Sequence, residues 1–278
     1  MRLSRSLSRS MAAIILASAF ISLSAQEEQI DKDFVPHSGQ AGKDVIWVPT
    51  PQALVDRMLD IAKVTPSDFV IDLGSGDGRT VITAAKRGAR ALGIEYNPNM
   101  VEISKISAAQ EGVSDRVEFI KADLFESDFS RATVITMFLL PSINVRLRPK
   151  LLELKPGTRI VSNTFDMDEW VPDETSRVMK DCDSWCEALM WIVPAKAEGT
   201  WKMEQGELKL FQEFQMLSGT LQRGMNSSTI TNGKLYGDKI TFEAGPDKYS
   251  GIVNGNRMEG TVTSGQNSAK WSAVRAGN

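Results

Sequence analysis

The stretch Val70-Ile-Asp-Leu-Gly-Ser-Gly-Asp-Gly-Arg79 decides how the rest of the chain is read. It begins as an apolar run with an acid near its end, the composition of a strand buried in a parallel sheet. It then passes through three glycines into Thr80 to Lys86, which suits a helix. Glycines at such a turn let the backbone bend sharply and approach a ligand, and the following helix presents unpaired N–H groups. A dinucleotide fingerprint requires glycine at position 79, where this chain has Arg79, and the Gly-Lys-Ser/Thr of a phosphate loop is absent. Instead Asp72 sits two residues before Gly74. A carboxylate there repels pyrophosphate and favours a ligand carrying an ammonium or sulfonium cation.

Outward from this loop, strand and helix patterns alternate. Thr50-Pro51 reads as a helix start, with Thr50 as cap and Pro51 at the first helical position. Leu54, Val55, Met58, Leu59 and Ala62 then form one apolar stripe at helical spacing. Ala89 to Glu95, Val117 to Ile120, Ala132 to Leu139 and Arg159 to Ser162 read as strands, and Pro98 to Glu111 as a helix. The alternation predicts an α/β fold, a doubly wound, Rossmann-like parallel sheet covered on both faces, over residues 45–193. Glu95 ends the second strand, where a carboxylate accepts from ribose hydroxyls; Asp123, after the third, is placed to accept from an exocyclic amine. Each acid alone reads equally well as a helix cap or a solvated loop residue. Three acids after three successive strands line the crevice where open sheets bind ligands.

The tail follows different rules. Twelve of the 21 glycines lie after residue 195. Lys209-Leu-Phe, Lys239-Ile-Thr-Phe and Gly260-Thr-Val-Thr alternate with turn patterns at Thr231-Asn-Gly, Tyr236-Gly-Asp, Gly245-Pro-Asp and Asn254-Gly-Asn. This predicts a small antiparallel β barrel or sandwich over residues 199–278, with Trp201, Phe211, Phe242 and Trp271 as its core and Pro194-Ala-Lys-Ala-Glu as the linker.

Residues 1–25 read as a secretory signal: Arg2, Arg5 and Arg9, then the apolar Met11 to Leu23, then small residues ending at Ala25. An uncleaved anchor is the alternative, although the apolar run is shorter than the roughly 20 residues a spanning helix needs. Cleavage removes three arginines and no acid, taking the formal charge from −3 to −6. The expectation is an exported, periplasmic protein.

Composition narrows the chemistry. The single histidine, His37, argues against a His-rich metal site and leaves a Ser-His-Asp triad without a well-placed base. No metal is expected. A formal charge of −3 and no concentrated Lys/Arg face argue against duplex DNA or another nucleic acid as partner. Cys182 and Cys186 would lie too far apart to bridge in an extended strand but close enough in a turn, and free or structural thiols are the expectation.

Asp72-Leu-Gly-Ser-Gly-Asp-Gly, Gly93-Ile-Glu-Tyr-Asn-Pro and Ala122-Asp-Leu resemble the successive motifs of class I S-adenosylmethionine-dependent methyltransferases, over about Val45 to Trp191. The resemblance implies S-adenosylmethionine as co-substrate. Asp72, Gly74, Ser75 and Gly76 would then surround its methionine part, Glu95 hold the ribose, Asp123 and Leu124 the adenine, and Thr50 close over the cofactor or serve only as a cap. The lead-in Trp47-Val-Pro-Thr-Pro, with Phe138-Leu-Leu-Pro and Arg159-Ile-Val-Ser-Asn-Thr-Phe, resembles a narrower branch. That branch holds the small protein lysine methyltransferases of mitochondrial membrane proteins, distantly similar to seven-strand histone lysine methyltransferases. The chain departs from them in its N-terminal segment and β tail. The implied activity is methyl transfer to a protein lysine.

Methyl transfer from a sulfonium is an in-line displacement, so the enzyme contributes mainly alignment. A lysine acceptor must lose a proton from a pKa near ~10.4, and an apolar channel favours the neutral amine. Phe138, Leu139, Leu140 and Pro141, at the carboxyl end of a strand, are expected to wall such a channel; the alternative is plain strand core. Two other functions stay open on the sequence. One is a non-catalytic exported protein that binds S-adenosylmethionine or S-adenosylhomocysteine, and the other is a β tail serving as an adhesion or small-ligand module.

Overall fold

The computed structural model describes residues 30–31, 33–204 and 206–277. The predicted export segment at 1–25 lies outside the described residues. β1 (Phe69–Leu73), the strand of the opening motif, is an interior strand of a seven-stranded sheet of order β3-β2-β1-β4-β5-β7-β6. β2 (Arg90–Glu95), β3 (Val117–Lys121), β4 (Val134–Met137) and β5 (Arg159–Asn163) run parallel to it. Val70, Ile71 and Leu73 are fully buried, and each such side chain stabilises the fold by roughly 2 kcal/mol. On one face pack α1 (Gln52–Ile61), α2 (Arg79–Lys86) and α3 (Pro98–Gln110), through Leu54, Val55, Val81, Ala85 and Val101. On the other, α4 (Pro141–Leu151) closes the sandwich with Leu147 and Leu151 against Ile71 and Ile135.

Three local expectations are corrected. Pro51, not Thr50, is the N-cap of α1, with no side-chain cap, because Thr50 Oγ1 is turned to Asn163 Nδ2 at 3.3 Å. β4 is four residues long rather than spanning Ala132 to Leu139, since the chain leaves the sheet at Phe138 to enter α4. The sheet is also not wholly parallel. β6 (Glu174–Arg177) and β7 (Glu187–Ile192) form a hairpin, and β7 inserts antiparallel between β5 and β6. Its side chains serve both faces: Ala188, Met190 and Ile192 on the α1 side, Leu189 and Trp191 on the α4 side.

The hairpin's loop brings Cys182 and Cys186 to a Cα separation of 5.8 Å, and they are disulfide-bonded. The expectation of free thiols fails because the segment turns, with Asp181 and Trp185 at positive φ.

Residues 199–275 close into an eight-stranded antiparallel barrel. It consists of β8 (Gly199–Met203), β9 (Gly206–Glu213), β10 (Met216–Arg223), β11 (Asn226–Tyr236), β12 (Lys239–Ala244), β13 (Asp247–Asn254), β14 (Arg257–Ser264) and β15 (Asn267–Arg275). Trp201, Phe242 and Trp271 are buried in its core as expected. Phe211 is not: β9 points Leu208 and Leu210 inward, so the two-residue period leaves Phe211 outside, 53% exposed. Thr231-Asn-Gly is not a turn but an irregularity inside β11, where the register to β12 shifts and Asn232 takes φ 51°.

The linker is buried at Pro194, Ala195 and Ala197. The barrel docks through the hairpins at its linker end. Phe214 stacks on Trp170 at 5.9 Å, Gln215 Nε2 donates to the Val171 carbonyl at 2.8 Å, and Lys234 pairs with the buried Asp173 at 3.0 Å.

Candidate active site

β1 ends at Leu73, and the loop that follows is clasped to the next strand: the N–H groups of Gly74 and Ser75 both donate to the Ile94 carbonyl, at 2.9 and 3.1 Å. Gly78 then takes φ +80° as the N-cap of α2, whose N-terminus faces the crevice. Gly76 is the tightest point. Its φ is +55°, and a Cβ there would lie 2.3 Å from Trp47 Nε1, so only glycine lets the indole lie across the loop. Trp47 arrives on a small strap, residues 39–50, held by the Ala41–Ile46 bridge and by Trp47 N–H donating to the Gln40 carbonyl at 2.9 Å.

Under the strap is a cavity of about 110 Å³ that opens to solvent. Thr50, Asp72, Gly74, Ser75, Glu95, Asp123, Leu124, Phe138 and Leu139 all line it, so residues from four strand ends and the strap meet at one cavity. Gly76 sits beside it and donates its N–H to Glu95 Oε2 at 2.9 Å. Leu140 and Pro141, expected to wall the channel with Phe138 and Leu139, do not line it: the chain turns out there into α4, whose N-cap and first residue they are, and both are exposed.

The electrostatics of the cavity favour a cation. Asp72 is 6% exposed, and its Oδ1 accepts from Thr136 Oγ1 at 2.6 Å. Burial pushes its carboxyl up to about 7; the Thr136 and Thr80 hydroxyls act against this, and the charges of Asp77 and Glu95 add to it. Glu95 is also raised by burial, partly offset by the N–H groups of Asn97, Gly76 and Tyr96. A buried acid partnered by hydroxyls and flanked by two further acids is a receptor for positive charge. Ser75 Oγ, buried on the cavity wall, has no hydrogen-bond partner among the described residues. These features fit the ammonium and sulfonium of S-adenosylmethionine at the Asp72 end, with Glu95 toward the ribose.

Asp123 is already engaged. Lys43 of the strap pairs with its Oδ2 and lies 4.8 Å from the Tyr96 ring centre, while Asp123 Oδ1 accepts from the Phe125 N–H at 2.8 Å. The Lys43 hydrogen bond, then that of Phe125, holds the Asp123 carboxyl below its ordinary range.

Sequence reasoning missed Trp47, Thr136 and Lys43. The clue to Trp47 was Gly76, whose need for glycine has a partner across the loop. Thr136 is one residue of an apolar strand and carries no pattern of its own.

The profile of the ANTKMT methyltransferase domain family matches residues 72–174. A protein-lysine N-methyltransferase from Saccharolobus islandicus is 47% identical over 148 residues, which is 52% of this chain and 88% of that protein. The adenine nucleotide translocase lysine N-methyltransferase of Mus musculus is 37% identical over 130 residues, 46% of this chain and 56% of that protein. Among solved structures, an RNA methyltransferase from Salinibacter ruber in complex with S-adenosyl-L-homocysteine is 48% identical, with a TM-score of 0.51; the match covers 54% of this chain and 95% of that one. The cation-seeking crevice, the sheet that builds it and these likenesses agree: the chain belongs to the class I S-adenosylmethionine-dependent methyltransferases, in the protein-lysine N-methyltransferase family of the ANTKMT type.

Proposed function

We propose that this methyltransferase modifies the side-chain amine of a protein lysine. The observation that carries the reading is the apolar wall that Phe138, Leu139 and Ile143 add to the cavity, beside the buried Asp72. It is supported by the activity named for the Saccharolobus and mouse relatives. When bound, S-adenosylmethionine supplies an activated methyl group on a sulfonium. Asp72 holds its cationic end, Glu95 and the Gly76 loop fix its ribose side, and Trp47 covers the loop. Phe138 and Leu139 strip water from the acceptor amine, which favours the neutral form that has given its proton to solvent. Its lone pair would form the N–C bond as the S–CH3 bond breaks and S-adenosylhomocysteine leaves as a neutral thioether. The strap must admit the adenine beside Asp123, so Lys43 is the contact that gives way as the cofactor enters.

The proposal extends to an oxidising compartment. Residues 1–25 have the composition of an export signal, and the Cys182–Cys186 disulfide suits such surroundings. Export separates the enzyme from the cytosol, where S-adenosylmethionine is made, so the cofactor would have to be bound before export or supplied outside.

The test is transfer of labelled methyl from S-adenosylmethionine to poly-L-lysine and, separately, to total RNA, with mass spectrometry locating the label. Label on lysine Nζ is expected. Label confined to RNA refutes the lysine acceptor and leaves the methyltransferase assignment intact.

A further inference from the structure

Because β7 is antiparallel to β5, and β6 to β7, the β6–β7 loop hangs over the carboxyl ends of the parallel strands, the edge where the crevice opens. Arg177 is level with Glu187, whose carbonyl accepts from the Thr164 N–H just beyond β5, at 2.7 Å. The loop carries Trp185 to the crevice. Its indole lies 5.9 Å from the Phe138 ring at 59°, and Phe138 in turn stacks on Phe165, also at 5.9 Å. Phe138 lines the cofactor cavity, so Trp185 stands one ring away from the methyl-donor site, on its solvent side.

Trp185 is an unusual residue for this place. It is 41% exposed, so burial of its own surface does not explain it. It also holds φ +52°, a region that bulky side chains rarely adopt and that tends to persist where the surroundings enforce it for a purpose. The enforcement is visible: the Cys182–Cys186 disulfide closes the loop around it, and the Val178 N–H donates to the Cys186 carbonyl at 2.8 Å. The loop lies beyond residue 174, where the family match ends.

We propose that Trp185, held against Phe138 by the Cys182–Cys186 disulfide, is the acceptor-recognition residue of this enzyme, packing on the stem and ammonium of the incoming lysine. This rests on the lysine reading above. An exposed indole face attracts an alkylammonium through its quadrupole and covers the apolar stem. Phe138 then receives the amine where water is excluded. The disulfide makes this recognition dependent on oxidation, because without it the loop has less to hold Trp185 at positive φ.

The full chain carries the test in two readouts. The first is steady-state methylation of poly-L-lysine, with S-adenosylmethionine affinity measured by calorimetry. For Trp185→Ala we expect KM for poly-L-lysine to rise about tenfold, with kcat and cofactor affinity within about twofold of the wild type. Trp185→Phe should recover part of the loss, and the Cys182→Ser/Cys186→Ser double variant should raise KM in the same sense. An unchanged KM in folded Trp185→Ala protein overturns the proposal, as does an equal loss of cofactor affinity.

The second readout needs no turnover. In protein labelled with 5-fluorotryptophan, the resonance missing from Trp185→Phe is followed by fluorine NMR while Nα-acetyl-Nε-trimethyllysine methylamide is added. A saturable shift that weakens in the double cysteine variant supports the proposal, and an unmoved resonance refutes it. Failure of poly-L-lysine methylation with a saturable shift present would overturn the lysine reading, and the acceptor role with it, while leaving alkylammonium binding at Trp185 established.

Discussion

Asp72 gives the sharpest prediction, because its chemistry follows from its burial. Its carboxyl is pushed from 3.8 up to about 7, so without a ligand it is half protonated near neutral pH. A cationic ligand binds the ionised form, and S-adenosylmethionine binding must therefore expel the proton. With a pKa of about 7 the ionised fraction is about one in eleven at pH 6 and ten in eleven at pH 8, so affinity should improve about tenfold between them, or ~1.4 kcal/mol. The assay is isothermal titration in buffers of different ionisation enthalpy, which counts protons. It should show close to one proton released at pH 6 and about a tenth of one at pH 8.

The cofactor's own amino group titrates near the upper limit, and Asp72→Asn separates the two effects. The variant should bind more weakly, with no proton release at pH 6. Stability carries the opposite sign. A carboxyl whose folded pKa is raised adds stability below its unfolded value of 3.8, and that contribution is lost as pH rises through about 7. The ionised carboxylate thus costs the empty enzyme up to roughly 4 kcal/mol above pH 7, and Asp72→Asn should have the higher Tm at pH 8. Cofactor affinity that is flat from pH 6 to 8, without proton release, would refute the reasoning.

Two further outcomes follow from packing. Gly76→Ala places a Cβ 2.3 Å from Trp47 Nε1 and at φ +55°, so it should displace the strap and lower cofactor affinity at least tenfold while the barrel stays folded; calorimetry and near-ultraviolet circular dichroism check this. Asp68, 7% exposed, pairs with Arg159 and accepts from Thr133 Oγ1 and the Thr65 N–H, which together outweigh burial and hold its carboxyl below the ordinary range. A carboxyl lowered on folding gives stability that is present above its unfolded pKa and lost as pH falls through its folded one. Asp68→Asn should cost about 3 kcal/mol at pH 7 in urea denaturation, with the difference from the wild type shrinking below pH 4.

Local pattern and tertiary placement separate clearly in this chain. The glycine loop, the acids at three strand ends and the five parallel strands could be read from sequence because a buried strand needs a continuous apolar run and a ligand turn needs glycine. The β6–β7 hairpin could not. Glu174-Thr-Ser-Arg177 is a polar edge strand with no alternation strong enough to mark it, and only its pairing with β7 makes it a strand. The disulfide was hidden for a related reason, since cysteines four residues apart bridge only where the loop folds back. Lys43 on Asp123 and Trp47 over Gly76 are contacts between segments 80 and 29 residues apart, set by how the strap crosses the crevice. The outward Phe211 shows that a hydrophobic residue in a barrel strand faces inward only if the period of two puts it there.

The insertion of β7 between β5 and β6 has a practical consequence for anyone shortening this protein. A fragment ending at residue 174, the limit of the family match, would lack the strand that supplies Ala188 and Met190 to one core and Leu189 and Trp191 to the other. It would leave β5, otherwise an interior strand, as a raw apolar edge with unpaired N–H and C=O groups. Such an edge recruits the same edge of another copy, and the expected product is insoluble aggregate rather than a minimal enzyme. The catalytic unit has to be cut after Val193, where the sheet's last core strand is complete.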